Sequence, residues 1–333
     1  MKKNACPQCD SNSTLVRCPN ELEFRKEHFN VIEHYFQCNK CREEFTNTEL
    51  DDLTLNQVYN QYRVKHDIPF PEEIRKIRKQ YGLSYSKMSE ILGFGVNSYR
   101  NYEKGEMPSQ GNANLIRCAK DPHTFKSLVN ENLFSKNTLD QIYSKVDLLI
   151  EENIKKQKAL CRIVDINNKP SEYTGFRSLD LDRVKNIVLF LINNTLDKYA
   201  GKLKINKLLF YCDFLHFKRF AISLTGLTYR IIQYGPVPSF YDNLYSELIH
   251  QNFIEEEFTK ENSYGIYKTL EEVEKEYFSN DEIQTLEKVV DCFRNVSPWD
   301  LVEISHKEVF FEPLVTDKRL VNYMEYGFKL KAL

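Results

Sequence analysis

No stretch of this 333-residue chain is both long and apolar enough to cross a bilayer, and no signal peptide opens it. A cytoplasmic protein without a membrane partner is therefore expected. Charge of one sign is not in excess: 46 Lys and Arg stand against 48 Asp and Glu, for a net charge of −2. That balance removes any global electrostatic argument for nucleic acid, though it can conceal a local basic face. A Gly-rich loop able to cradle phosphates, internal repeats and low-complexity tracts are all missing. Catalytic constellations are missing as well. His216 lies near Asp213 and His306 near Glu308, but neither pair has an activated nucleophile or a convergent third group, and His250 stands alone. No catalytic residue is assigned, and the chain is not expected to be an enzyme.

What is present begins with cysteine. Cys6-Pro7-Gln8-Cys9 and Cys38-Asn39-Lys40-Cys41 are two CxxC pairs separated by 28 residues. Each pair can point two thiolates at one ion. Four thiolates at tetrahedral geometry suit Zn2+ and leave no open position for a substrate, so one structural zinc is expected at Cys6, Cys9, Cys38 and Cys41. The segment between the pairs has too few apolar residues to fold unaided, and metal binding would supply the missing free energy. A redox pair would need a βαβ setting, and a disulfide framework an oxidising compartment. An iron–sulfur cluster could use the same four thiolates. Cys18, His28 and His34 compete for the ion but are unpaired in sequence. Of the nine cysteines, Cys118, Cys161, Cys212 and Cys292 fall in apolar or helical surroundings, where the thiol acts as a small hydrophobe.

The pattern along the chain implies a mainly α protein with small β elements. Alternation such as Val31-Ile32-Glu33-His34-Tyr35-Phe36-Gln37 reads as a strand leading into the second CxxC, followed by a helical connector over Asp51 to Asp67. Residues 70–105 read as three short helices. Pro71 opens the first, with Ile74, Ile77 and Tyr81 inward and Gly82 as its stop. Ser84 caps the second, with Met88, Ile91 and Leu92 inward. A Gly93-Phe94-Gly95 turn then leads to a third helix over Val96 to Lys104, ended by Gly105. This is a helix-turn-helix arrangement. Residues 112–157 are helical again, and Leu139, Ile142, Val146 and Leu149 form a seam that suits either packing within the domain or a dimer contact. Polar, turn-rich Asp165 to Gly175 reads as a linker. Beyond it, helices through Leu181–Leu191, Ile205–Leu215, Phe240–Leu248 and Ile283–Phe293 and one begun by Ser297-Pro298 alternate with a few strands. Leu227–Tyr234 is one strand, broken by Gly235-Pro236-Val237-Pro238, and Phe253–Phe258 with Tyr264–Thr269 forms a hairpin. The expected division is 1–66, 67–160, a linker at 161–176, and 177–333.

On the third helix Val96, Tyr99 and Tyr102 share one face, expected to meet the protein. Asn97, Arg100, Asn101 and Lys104 share the other, with Ser98 beside them. Asn can pair with adenine and Arg with guanine through two hydrogen bonds each, and Lys104 suits phosphate. From Phe70 to Lys126 ten Lys and Arg stand against six Asp and Glu. A basic module in an otherwise acidic chain points to local DNA binding.

With these features in view, the N-terminal portion resembles the MqsA (YgiT-type) antitoxins, in which a two-CxxC zinc domain precedes an Xre-type helix-turn-helix. Leu92-Gly-Phe-Gly-Val-Asn-Ser-Tyr-Arg-Asn-Tyr-Glu-Lys-Gly105 carries the likeness most specifically. The resemblance implies repression of the chain's own operon as a homodimer on operator DNA. That family reads DNA with an Asn and, four residues on, an Arg. Asn97 matches the first, but the second position is Asn101 with Arg100 one earlier, so base preference is not carried over. Residues from about 180 to 330 resemble the Panacea, or SocA-like, antitoxin domain through Lys204–Asp213, Tyr229–Pro238 and Leu301–Glu308. This likeness implies a mostly helical α+β domain that neutralises a cognate toxin protein. Tyr229, Arg230, Tyr234 and Tyr241 have the chemistry of interface anchors, although the same tyrosines could simply pack the domain. A transcriptional regulator without a toxin and an adaptor that delivers a bound toxin to a protease are the alternative readings.

Overall fold

The computed structural model describes residues 5–163, 169–196, 199–258, 265–317 and 319–333. The chain divides into two compact units, Met1–Gln61 with Ile163–Leu333 and Tyr62–Arg162. The mainly α fold with small sheets agrees with the sequence.

The first unit opens with β1 (Ser13–Phe24) and β2 (Glu27–Cys38), paired antiparallel from Ser13↔Cys38 to Phe24↔Glu27, with the short β3 (Glu44–Phe45) on the far side of β2. The two turn residues Arg25 (φ 50°) and Lys26 (φ 67°) are both left-handed, the backbone a tight two-residue hairpin demands. β1 has no fully buried residue, so its pairing with β2 contributes little apolar burial. Helix α1 (Thr48–Lys65) closes the open edge of β2 with side chains at helical spacing. Thr54 Oγ1 accepts from His34 N, Gln57 both accepts from and donates to the Ile32 backbone, and Gln61 Nε2 donates to Asn30 O. These bonds satisfy strand groups that an uncovered edge would leave unpaired.

The same unit contains α8 (Leu181–Asn193), α9 (Lys202–Phe220), hairpin β4 (Tyr229–Ile232) and β5 (Gly235–Pro238), α10 (Tyr241–His250), hairpin β6 (Ile254–Glu257) and β7 (Ile266–Thr269), α11 (Asn280–Phe293), α12 (Pro298–His306), α13 (Phe311–Asp317) and α14 (Tyr323–Tyr326). Helix α9 is the axis, buried on every side from Lys204 to Phe217, where periodicity indicated one apolar face. Its Phe210 and Phe214 stack at 4.2 Å, and Tyr323 stacks on Phe214 at the same spacing. Gly235-Pro236-Val237-Pro238 does not break a strand but forms one. The prolines stand opposite Tyr229 and Ile231, alternate positions whose N–H groups point away from β4, so no ladder bond is lost. Of the expected linker, 164–168 lie outside the described residues, whereas 171–176 pack into this domain together with Arg177. Ser223 N donates to Gly175 O, Tyr323 N to Glu172 O, and Arg177 Nε to Ser223 O. Tyr264 of the expected second hairpin also lies outside the described residues.

The second unit contains α2 (Pro71–Gln80), α3 (Tyr85–Ile91), α4 (Ser98–Glu103), α5 (Gln110–Cys118), α6 (Pro122–Leu128) and the described part of α7 (Lys136–Ile163). Pro71 opens α2, Ser84 Oγ accepts from Lys87 N to cap α3, and Gly82, Gly93 and Gly105 take positive φ at the three turns. The core gathers Ile74, Ile77, Tyr81, Met88, Tyr99 and Phe125, with the Tyr81 and Phe125 rings stacked at 3.8 Å. Ile142 and Val146 of the expected seam are buried in this core, and Leu139 and Leu149 pack against it. The seam therefore serves intramolecular packing.

Candidate metal centre and interaction surfaces

The four sulfurs of Cys6, Cys9, Cys38 and Cys41 lie within 4.8 Å of one another. Cys9 Sγ is 3.5 Å from those of both Cys38 and Cys41, and Cys6 Sγ is 3.6 Å from that of Cys41. Tetrahedral zinc with Zn–S of about 2.3 Å sets its sulfurs about 3.8 Å apart, so the donor set fits such an ion. Two matching knuckles build it. Asp10 N donates to Cys6 O at 3.0 Å and Arg42 N to Cys38 O at 3.2 Å, and both residues are left-handed, at φ 52° and 63°. Backbone N–H groups also aim at the sulfurs, from Gln8 to Cys6 and from Lys40 and Cys41 to Cys38. Side-chain and backbone hydrogen bonds from Ser11 pull the Cys9 thiol down to about 6. At Cys41 the Glu43 backbone pulls down, but burial and the neighbouring thiols outweigh it and push the thiol up to about 12. A cation among the four sulfurs would relieve the cost of ionising Cys41. Cys18, His28 and His34 are not members of it. His28 pairs with Glu21 at 3.3 Å, and His34 is buried with its ring against Phe328 at 5.0 Å.

Helix α4 exposes Asn97, Arg100, Asn101 and Lys104, with Ser98 half-buried. The side chain of Asn97 makes no capping bond to the helix it precedes. Tyr99 and Tyr102 face inward as expected. Tyr99 is fully buried, with its hydroxyl donating to Ile74 O at 2.8 Å and its N–H to Ser89 Oγ at 3.3 Å. Val96 departs from expectation. The helix starts at Ser98, so Val96 lies in the turn before it rather than on the tyrosine face, and it is 73% exposed.

The three C-terminal segments quoted from the sequence meet around α9. Tyr229 OH donates to Asp213 Oδ2 at 2.7 Å, and that carboxylate also accepts from Leu224 N, Thr225 N and Thr225 Oγ1. Burial pushes the Asp213 carboxyl up against the downward pull of these bonds. Lys207 Nζ donates to Pro236 O at 3.1 Å, and burial pulls its ammonium down to about 7. Gly235 is at φ +89°, and a Cβ there would overlap Ser305 Oγ and crowd Lys207. Asp213, Lys207, Tyr229 and Gly235 thus tie these segments to one another. Tyr229, expected as an anchor, is fully buried because its hydroxyl serves Asp213. Arg230 is exposed and Tyr241 half-buried beneath the Lys202 ammonium. Tyr234, 41% exposed, meets the 60% exposed Trp299 edge to face at 5.8 Å. Sequence reading missed Trp299, although it is the chain's single tryptophan and stands in the first turn of a Pro-initiated helix.

Taken together these features define a modular protein, with a four-cysteine cluster on a β-hairpin, a helix-turn-helix bundle and a helical domain wound on one buried helix. The family model described as the antitoxin component of a bacterial toxin–antitoxin system, MqsA, matches residues 4–131. Antitoxin MqsA of Escherichia coli (strain K12) is 34% identical over 134 residues, which cover 39% of this chain and 98% of that protein. The chain belongs to the MqsA antitoxin family. Residues 205–309 match a second model, the SocA-like antitoxin Panacea domain.

Proposed function

We propose that this chain is the antitoxin of a type II toxin–antitoxin pair. It neutralises its toxin by direct binding through the C-terminal domain at 177–333, and it represses its own operon as a homodimer through the helix-turn-helix domain at 67–160. One Zn2+ held by Cys6, Cys9, Cys38 and Cys41 is structural, since four thiolates complete its coordination. It would consolidate a hairpin whose first strand buries no residue fully. The observation that carries the DNA half is the exposed Asn97–Arg100–Asn101–Lys104 stripe on a helix whose opposite face is anchored by the buried Tyr99. The chemistry of that stripe suits base edges and phosphate. For the toxin half, Arg230, Tyr234 and Tyr241 remain the proposed contacts, and the exposed Tyr234–Trp299 pair joins them.

The test is a double dissociation in cells that express the protein encoded beside this one. Arg100→Ala should relieve operon repression and leave growth rescue intact. Trp299→Ala with Tyr234→Ala should abolish rescue and leave repression intact. Rescue without any change in toxin half-life supports blocking, whereas a shortened half-life favours delivery to a protease. Repression without rescue by the unmodified chain contradicts the antitoxin reading and supports a plain regulator.

A further inference from the structure

The most exposed large hydrophobic side chain in the helix-turn-helix unit, among its described residues, is Val96, at 73%. Its position is set by the backbone. Ser98 N donates to Gly95 O at 2.9 Å, which makes Val96 and Asn97 the two central residues of a tight turn, and Asn101 N donates to Asn97 O at 3.0 Å to begin α4. Both side chains therefore stand at the leading end of the helix, beside exposed Arg100 and Asn101. The neighbouring apolar residue Phe94 packs against the core and meets the Tyr102 ring at 6.0 Å, whereas Val96 is left outside. Residues at the front of a recognition helix are the ones that reach base edges. The major-groove edge offers a single apolar group, the C5 methyl of thymine. A valine isopropyl there can make only apolar contact, and exclusion of water from a methyl gives that contact sequence information.

Resting on the proposal that α4 enters the major groove, we infer that Val96 is a specificity-determining residue that reads a thymine methyl next to the base pair addressed by Asn97. The polar stripe supplies hydrogen-bond readout, and Val96 adds one position of apolar readout that Ala would lose.

The experiment uses the full-length zinc-loaded protein and duplexes selected by it from a random-sequence library. Within the selected site each thymine is replaced in turn by deoxyuridine, which removes the methyl and keeps every hydrogen-bonding group. The expected result is a loss of about threefold to fivefold in affinity at one thymine per half-site, the size of one buried methyl. With Val96→Ala that penalty should disappear while hydrogen-bond readout at the other positions persists. 5-Methylcytosine offered in place of cytosine at the same position should restore affinity to the unmodified protein and not to Val96→Ala. Sequence-selective binding with no thymine whose methyl effect depends on Val96 overturns this inference and leaves the DNA reading standing. Failure to enrich any sequence overturns both.

Discussion

Arg78 and Glu103 form a buried two-point ion pair. Nε meets Oε1 at 2.6 Å, Nη2 meets Oε2 at 3.0 Å, and the Glu103 side chain is 3% exposed. The same guanidinium donates to Leu83 O at 2.8 Å and lies over the Tyr85 ring at 4.1 Å. One side chain on α2 thus fixes the α2–α3 turn, α3 and α4. The pose of α4 depends on a fork that Lys could not reproduce.

Removal of either partner strands a buried charge. Arg78→Ala and Glu103→Ala should each destabilise the helix-turn-helix unit by about 3–5 kcal/mol, while the paired replacement Arg78→Met with Glu103→Leu should recover most of that loss. Urea unfolding followed by circular dichroism measures both. A double variant destabilised by the sum of the two single losses would show that the pair is not coupled.

Metal removal should act locally at first. Purified protein should contain about one zinc per chain, as a closed four-thiolate site requires. Cys38→Ser should lose the metal and unfold the β1–β2 hairpin, and Cys18→Ser should do neither. Elemental analysis with hydrogen exchange across residues 5–45 reads the outcome, and the reverse pattern would reassign the ligands.

Gly235 should tolerate no side chain. At φ +89° with Ser305 and Lys207 against it, Gly235→Ala combines left-handed strain with overpacking, a loss of about 2–4 kcal/mol. Thermal unfolding of the full chain would show it. A neutral outcome would mean that the β4–β5 hairpin can shift away from α9.

His34 should make stability depend on pH. Burial, reinforced by the charge of Arg17, pulls its imidazole down to about 4. A folded-state value below the unfolded one means that the unfolded chain takes up the proton first. The stability is therefore complete above about pH 6.5 and is lost as pH falls toward 4. His34→Phe should flatten the wild-type profile in that window while keeping the ring contact with Phe328. An unchanged slope would place the pH dependence elsewhere.

Much of this was legible because spacing and breakers carry it. Two CxxC pairs announced the thiolate cluster, and Pro71, Gly82, Ser84 and Gly105 marked the α2–α4 boundaries. The hidden parts lacked such marks. The Arg25-Lys26 turn carries neither Gly nor Asn, so the length of β1–β2 did not show. The left-handed Asp10 and Arg42 of the two knuckles are likewise unmarked. Gly235–Pro238 looks like a breaker, and only its register shows that both prolines occupy positions needing no ladder bond. Helix α9 has no polar face because Lys204, Lys207, Asp213 and His216 are buried within it, which blurs its period. Tyr229 has the chemistry of an anchor, and only the position of Asp213 shows that its hydroxyl is already taken. Val96 shares the tyrosine face only if the helix begins at Val96, two residues before its start at Ser98.

The most direct test of the central claim is a binding titration of the purified full-length chain with the protein encoded by the adjoining reading frame, monitored by calorimetry. The account expects a saturable complex that Trp299→Ala with Tyr234→Ala weakens at least tenfold and Arg100→Ala leaves unchanged. No binding by the unmodified zinc-loaded chain, or binding lost with Arg100 and indifferent to Tyr234 and Trp299, would contradict it.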